Sequence, residues 1–415
     1  MTEKYFSFND TLFEITEKYP QTIEVFKANG FPQMGDEEKR KSFGKSISLS
    51  TALSFQNRDP DAFVRLLNRS IDKELLGEDV TLSEEHSSRN GDSVKVTGLL
   101  PCPVRIPLLE AFERFKEDFS RRKNLDIQYE LKAASMGLDW VKQNLSDVED
   151  SELIPDLFIS AGFDLFFDEK KIGKFKKAGI FRDELDYAKE NGTFRGYGLK
   201  DPRGHYSMIG VVPAVFLVNT QELGDRPVPR SWADILEPAY ENSVSLPVGD
   251  FDLFNAILLN IHKNFGSEGV RKLGLSLLDS LHPAQMVKSE HKRIRRPAVT
   301  IMPYFFTKTV KEGSSMEAVW PRDGAILSPI FMLSKVNRRD EIKEVIDFFA
   351  SREVGEILAH GGLFPSTNPE VDNHLDDDRS FMWLGWDYIY SIDVAETISQ
   401  CEMLFNESIE EAVHT

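Results

Sequence analysis

The sequence is poor in cysteine and in positive charge, and it has no long apolar run. Its 415 residues include two cysteines, Cys102 and Cys401, which cannot form a disulfide framework and lack the spacing of zinc ligands. Fifty Lys and Arg residues face 68 Asp and Glu residues, so the net charge is −18. Because nucleic acids and anionic membranes attract positive surfaces, binding to either is not expected. No stretch approaches the roughly 20 apolar residues that cross a bilayer, so no membrane insertion is predicted.

Signals for secretion, internal repeats and the common catalytic motifs are also missing. Residues 1–10 contain neither the basic nor the apolar segment of a secretory signal, which predicts a cytoplasmic protein. The sequence has no nucleophile elbow, no phosphate-binding loop, no zinc-protease motif and no dinucleotide fingerprint. We therefore expect no enzyme activity and no cofactor.

Residues 1–70 predict a small all-α domain. Leu12, Ile15 and Tyr19 recur at helical spacing behind Thr11, whose hydroxyl can cap a helix. Apolar side chains continue at helical spacing through this part of the chain. The sequence therefore begins with a unit that can fold around its own small core.

Residues 71–93 and 94–415 differ sharply in composition. The first stretch is rich in Glu, Ser and Asp and predicts a linker, because it cannot bury enough apolar surface to fold alone. In the second stretch, β-rich runs alternate with amphipathic helices, which favours an α/β fold with parallel sheets. The predicted strands cover residues 94–100, 125–131, 153–159, 208–219 and 298–304.

Four motifs in this second stretch resemble, in order, those of bacterial extracellular solute-binding proteins of the type II ferric-ion, thiamine and 2-aminoethylphosphonate group. Residues 229–240 (PRSWADILEPAY) and 320–325 (WPRDGA) are similar to two of them, and residues 344–351 (EVIDFFAS) and 361–365 (GGLFP) to the others. The resemblance spans about 94–410. It implies a periplasmic-binding-protein type II fold, in which a solute binds between two α/β lobes.

The resemblance also implies how the lobes are built. Residues 209–218 and 325–333 would be the hinge strands that join them. The first lobe would comprise residues 94–207 and 325–415, and the second residues 219–318. A permease of the ABC-transporter type is the partner that the family would imply.

The candidate ligand-binding residues follow the ends of strands, where helix N-termini present free N–H groups. Such N–H groups, together with Arg322, favour a small anion such as a carboxylate, phosphonate or oxyanion. The expected site residues are Pro101, Cys102, Pro103, Ser160, Ala161, Gly162, Phe163, Gly249, Asp250, Phe251, Tyr304, Phe305, Arg322 and Asp323.

Residues 304–306 (YFF) depart from the pattern of the ferric-ion-binding members, which carry two adjacent tyrosines in that segment. A phenylalanine ring cannot ligate a metal. Together with the absence of the His/Glu pair after the first strand, where residues 101–103 (PCP) stand, this argues against direct ferric-ion coordination and predicts no metal site.

The N-terminal unit resembles a small helical domain of unknown function that is found with hybrid-cluster and redox-disulfide proteins. The redox branch carries cysteines after a Gly-Phe pair, and residues 30–34 (GFPQM) have none, so a structural or protein-contact role is expected. The matching residues are Thr11, Leu12, Phe13, Glu14, Ile15, Tyr19, Pro20, Phe26, Gly30, Phe31 and Asn68.

Two other functions compete with a solute-binding protein. One is a cytosolic ligand sensor that signals through residues 1–70 to a protein partner. The other is an enzyme on the same scaffold, with Cys102 as a nucleophile at a helix start. Three further features are more simply explained as solvated or loop residues: the basic run 288–296, His205, and the acidic run 372–378.

Overall fold

In this computed structural model, the chain divides into two units, residues 1–82 and 83–415. The predicted linker falls largely outside the described residues, as do Gly249, Asp250 and most of the basic run 288–296. The structure describes residues 6–8, 10–20, 22–23, 26, 31, 34, 39–45, 47–55, 63–64, 67, 82–83, 93–133, 150–163, 165–168, 170–185, 187, 189–248, 251–279, 296–310 and 313–413.

The first unit is helical, as predicted. Helix α1 (Leu12–Lys18) begins with a capping box, in which the Thr11 side chain accepts from the Glu14 N–H and Glu14 accepts from the Thr11 N–H. A π-helical turn (Arg40–Gly44) and α2 (Leu49–Phe55) follow. The core is apolar and closely packed. Its buried residues are Phe6, Leu12, Ile15, Tyr19, Phe26, Phe31, Met34, Leu49, Ala52, Leu53, Phe63 and Leu67.

The second unit is built on one mixed sheet. A short strand, β1 (Leu82–Ser83), lies where the two units divide. The remaining strands are β2 (Ser93–Leu100), β3 (Asp126–Ala133), β4 (Leu157–Ala161), β5 (Phe181–Arg182), β6 (Ser207–Asn219), β7 (Val244–Ser245), β8 (Leu277–Asp279), β9 (Val299–Pro303), β10 (Met316–Val319), β11 (Ala325–Lys335) and β12 (Phe381–Met382). Across the sheet they follow the order β3-β2-β4-β11-β6-β9-β7-β8, while β5 and β12 pair with β11 and β10 pairs with β6.

Helices alternate with the strands of this sheet along the chain. No helix in the described part of the chain is long and apolar enough to cross a membrane. The helices are α3 (Arg105–Lys123), α4 (Ile172–Lys177), α5 (Thr220–Leu223), α6 (Trp232–Ile235), α7 (Phe251–Ser276), α8 (Arg339–Phe349), α9 (Arg352–Glu356), α10 (Trp386–Ser391) and α11 (Val394–Val413).

The long strands β6 and β11 join two groups of parallel strands. Strands β2, β3 and β4 run parallel on one side, and β7, β8 and β9 run parallel on the other. Every residue of β6 and β11 is buried, and the two strands pair antiparallel in the middle of the sheet. This is the predicted two-lobe α/β fold, and the predicted hinge runs 209–218 and 325–333 lie within β6 and β11. Long apolar runs of this kind form strands that are buried on both faces.

Strand β6 carries a bulge in the region where it pairs with β11. Ile330 pairs with Gly210 and Phe331 with Met208, so Ile209 is an extra residue without a partner in the register. A bulge of this kind bends and twists the strand locally. The bend therefore lies within one of the two strands that connect the lobes.

Candidate ligand-binding cleft

The end of β4 approaches the start of α7 very closely. Gly162 follows β4 with a φ of +78°, and its N–H donates to the Pro329 carbonyl of β11 at 2.8 Å. A Cβ atom on Gly162 would lie 2.8 Å from the Cα of Asp252. Because no real Cβ comes so near another backbone atom, only glycine allows the end of β4 to reach the start of α7.

A hydrogen bond from β11 also holds the start of α7 in place. The Ser328 hydroxyl in β11 donates to the Asp252 carbonyl at 3.1 Å, and both residues are buried. The predicted site residue Phe251 is the first residue of α7, and its side chain lies outside the described part. The structure thus brings Gly162 to a helix N-terminus, where backbone N–H groups lack helical partners. Ser160 and Ala161 are buried in β4 and pair with β11.

Residues 361–365, which we call the bridge segment, contact both lobes. On the first lobe, a Cβ on Gly362 would lie 2.8 Å from a methyl group of Val104. On the second lobe, the ring of Phe305 lies 6.4 Å from the ring of Phe364, centre to centre. Just before the segment, the Lys308 ammonium donates to the His360 carbonyl at 2.9 Å. The bridge segment therefore contacts both the turn after β2 and the turn after β9.

The bridge segment is also tied to the hinge. The Val211 N–H of β6 donates to the Pro365 carbonyl at 3.0 Å, and the Thr367 hydroxyl donates to the Met208 carbonyl at 2.6 Å. A Cβ on Gly210 would lie 3.2 Å from the Pro365 oxygen. Both hydrogen bonds flank the bulge at Ile209, so the segment and the bent part of β6 are held together.

Tyr304 and Phe305 begin the 3₁₀ turn Tyr304–Thr309 that follows β9. The Tyr304 ring meets the Trp320 ring edge to face at 5.2 Å, and both side chains are half-buried. Phe305 contacts Phe306 at 5.3 Å, again edge to face. This turn presents one phenol and one ammonium, that of Lys308, on the second lobe's side.

The residues after β2 form a turn that begins α3. Pro101 is buried, and its carbonyl accepts the Val104 N–H at 3.1 Å. Pro103 is half-buried, and the Cys102 side chain lies outside the described part. Phe163, by contrast, is fully buried and packs on Phe331, so its ring contributes to the first lobe's core.

Arg322 and Asp323 occupy a different place in the fold. Both are exposed. The Arg322 N–H donates to the Arg230 carbonyl at 2.7 Å, and the Asp323 carboxylate accepts the Trp232 N–H at 2.9 Å. The Trp232 indole donates to the Gly324 carbonyl at 3.0 Å. We call the contact of Trp232 with Asp323 and Gly324 the Trp232 junction; it fixes the start of α6 to the turn before β11.

Partial desolvation shifts the acidity of the Asp323 carboxyl, although the residue as a whole is exposed. Desolvation raises the pKa of Asp323 above its usual range, and the hydrogen bond from the Trp232 N–H opposes that rise. Asp323 also lines a cavity of about 620 Å³ together with Tyr197, Phe265 and Trp383. Its described contacts therefore support α6 and do not join it to Gly162.

Sequence reasoning missed Lys308, His360 and Phe364. Lys308 lies four residues after Tyr304, and Phe364 lies within the GGLFP motif, but neither position gave a chemical signal by itself. Their role follows from a contact between segments more than 50 residues apart. Among the described residues, no three His, Cys, Asp or Glu side chains lie close enough together to hold a metal ion.

Two families match the chain. Residues 152–391, more than half of it, match the family described as bacterial extracellular solute-binding protein. Residues 6–64 match a domain of unknown function, DUF1858, as the N-terminal resemblance predicted. No curated protein sequence matches the chain significantly.

Solved structures with a similar fold include three binding proteins. The substrate-binding protein of an ABC transporter from Agrobacterium tumefaciens is 14% identical, with a TM-score of 0.54, over 80% of this chain and 98% of that one. AfuA from Actinobacillus pleuropneumoniae, with fructose-6-phosphate bound, is 12% identical, with a TM-score of 0.51, over 79% and 100%.

The third is the ferric-binding protein from Campylobacter jejuni, which is 11% identical, with a TM-score of 0.50, over 76% of this chain and 99% of that one. These likenesses confirm the two-lobe fold. The matched family and these structures are solute-binding proteins of transport rather than enzymes, as predicted, and they give no support to a nucleophilic Cys102.

Proposed function

Because the chain belongs to the bacterial extracellular solute-binding protein family, we propose that it captures a small anion in the cleft between its two lobes. The observation that carries this proposal is the contact of Gly162 with the first turn of α7. It places the N-terminus of α7, whose first helical stretch ends where Gly266 breaks the helix with a φ of 66°, at the end of β4. The positive end of a helix dipole favours a bound anion.

A cation lies near the other side of the proposed cleft. Lys308 extends from the turn after β9, and its ammonium already reaches across to the His360 carbonyl. In the proposed site, Lys308 supplies the positive charge that the sequence had suggested for Arg322. An ammonium can exchange a carbonyl for an anionic oxygen because the full negative charge of the anion attracts the ammonium more strongly than a neutral carbonyl does.

The similar structures include both a ferric-binding protein and a sugar-phosphate complex, and it is the departure of residues 304–306 from two adjacent tyrosines that favours an organic or phosphorylated anion. AfuA holds fructose-6-phosphate, which carries a charged phosphate group. The second lobe's turn here offers one phenol, Tyr304, followed by Phe305 and Phe306, and phenylalanine provides no metal ligand. Water would be excluded by the aromatic rings as the lobes close on the solute.

Native mass spectrometry of the gently purified full chain, with elemental analysis, tests this proposal. We expect one small anion bound per chain. Iron, or a neutral or cationic solute, would overturn it. If the chain is bare, calorimetric titration with inorganic phosphate, fructose 6-phosphate and succinate follows, and failure of all three to bind would also contradict the proposal. Cell fractionation tests the proposed cytoplasmic location.

A ligand sensor is the second candidate function. The first unit has its own apolar core and a separate family match, which suits a module that contacts a protein partner. In that case the cleft would report an anion to the partner of residues 1–82. Partners recovered with the full chain should then change when the anion is added, and identical recovery would exclude this function.

A further inference from the structure

A cavity of about 450 Å³ is lined by residues of two stretches of the second unit, 167–205 and 389–394. Among the ten described residues that line it, four are basic and one is acidic, although the chain carries a net charge of −18. The basic residues are Lys176, Lys177, Arg203 and His205. The cavity therefore concentrates positive charge in an acidic protein, and its size suits a small metabolite.

The loop that carries Arg203 and His205 is held rigidly by one buried carboxylate. Asp201 is 3% exposed. One of its oxygens accepts the Arg203 N–H at 2.9 Å, and the other accepts the His205 N–H at 2.7 Å and the Tyr206 N–H at 3.1 Å. The loop thus keeps both basic side chains at the cavity without rearrangement, which lowers the cost of binding.

The guanidinium of Arg203 is positioned by an aromatic ring. It lies 3.8 Å from the centre of the Tyr390 ring, and the Tyr390 hydroxyl donates to Asp201 at 2.6 Å. The same carboxylate therefore fixes both the backbone of Arg203 and the ring on which its side chain stacks. A stacked guanidinium keeps its planar set of donors available for an oxyanion.

The lysines come from α4, on another wall of the cavity. Lys176 is buried, donates to the Tyr206 hydroxyl and lies over the Phe167 ring. Lys177, its neighbour, is exposed. Two ammonium groups and one guanidinium then border the same space, which suits a group with more than one negative charge.

The acidic residue of the lining, Asp393, is a helix cap. Asp393 precedes α11, and its carboxylate accepts the Glu396 N–H at 3.0 Å, so it caps this helix. Ile389 and Ile392 complete the wall with apolar surface. The lining thus combines a charged side with an apolar side, the arrangement expected for a phosphorylated organic molecule.

We propose that this cavity is a second ligand site, separate from the cleft, that binds a small phosphate-bearing metabolite. All its described lining residues lie between 167 and 206 or between 389 and 394. These stretches exclude Gly162, the start of α7, Lys308 and the bridge segment. Arg203 and Lys177 would bind the phosphate oxygens, and the isoleucines would contact the organic part.

Calorimetric titration of the full chain with inorganic pyrophosphate tests the proposal. The variant carries Lys177→Ala and Arg203→Ala, both at exposed positions, and should weaken the affinity at least tenfold. The matched control, Lys170→Ala with Arg195→Ala, removes the same charge at two other exposed positions of the first lobe and should keep the wild-type affinity. Thermal melting of both variants checks that they fold.

A cleft variant separates the two sites. In a Lys308→Ala background, pyrophosphate should still bind, and adding Lys177→Ala with Arg203→Ala should still weaken that affinity at least tenfold, because Lys308 does not line the cavity. Three results would overturn the proposal: no binding of pyrophosphate to the wild type, equal affinities of the wild type and the cavity variant, or loss of all binding in Lys308→Ala. The last result would assign the bound pyrophosphate to the cleft.

Discussion

The Trp232 junction and the bridge segment both come from motifs that the sequence makes visible, yet they do different work. In the junction, Trp232 is fully buried, and its N–H groups donate to Asp323 and Gly324. The bridge segment 361–365 lies between Val104 of one lobe and Phe305 of the other. The comparison shows that one recognisable motif can mark a packing contact within the core, whereas another marks a contact between segments that border the proposed cleft.

The largest effect is expected at the junction. Trp232→Ala removes a fully buried ring that packs on Phe216, and it should lower the free energy of unfolding by about 3–5 kcal/mol. Trp320→Ala, at a half-buried tryptophan near Tyr304, should cost clearly less. Denaturant unfolding of both variants measures their losses in free energy of unfolding. Equal losses would contradict the conclusion that Trp232 is the more important packing residue.

Alanine variants of two glycines test how closely β4 approaches α7. Gly162→Ala places a Cβ 2.8 Å from Asp252, whereas Gly196, with a similar positive φ of +86°, has open space around it. Both alanines are strained by the positive φ, but only the alanine at 162 also collides with the backbone of another segment. We expect Gly162→Ala to destabilise the fold by about 1–3 kcal/mol more than Gly196→Ala, as measured by thermal unfolding.

The proposed role of Lys308 in anion binding gives a test at the bridge segment. Lys308→Ala should weaken binding of the anion that the calorimetric titrations identify by about tenfold, since a charge-assisted hydrogen bond is lost. Its effect on unfolding should stay below about 1 kcal/mol, because the side chain is exposed. Lys343→Ala, which breaks an ion pair within α8, is the control. An unchanged affinity in Lys308→Ala would exclude Lys308 from the site.

The smallest effect concerns pH at the junction. The fold raises the pKa of Asp323, so it favours the protonated carboxyl. The stability that this gives is complete below the ordinary pKa of 3.8 and is lost as the pH rises through the raised value. Asp323→Asn stays neutral, so its stability relative to the wild type should increase with pH across that range. Unfolding curves at a series of pH values would show it, and a constant difference would contradict it.

The hinge strands were predictable because their apolar runs are long enough to require burial on both faces. The predicted strand 153–159 shows the limit of such patterns. Leu153 is 66% exposed in the turn Ser151–Leu153, and β4 begins only at Leu157, after a proline that interrupts the pattern.

The candidate site was predictable only in part. Small residues after strands pointed to Gly162, since a strand end next to a helix start needs room. The partners of Trp232 and Lys308 could not be found this way. Asp323 lies 91 positions from Trp232 and His360 lies 52 positions from Lys308, and a single sequence does not reveal which distant segments meet.

The place of β11 in the sheet has a consequence for the order in which the protein can fold during translation. Strand β11 lies between β4 and β6, although it follows β6 by more than 100 residues in the chain. The ribosome therefore releases β2, β3, β4 and β6 long before their central neighbour exists. Limited proteolysis of a chain that ends at Gly324 should find this part of the sheet open to cleavage. Until residues 325–335 emerge, the nascent chain exposes two apolar strand edges that a chaperone can protect from aggregation.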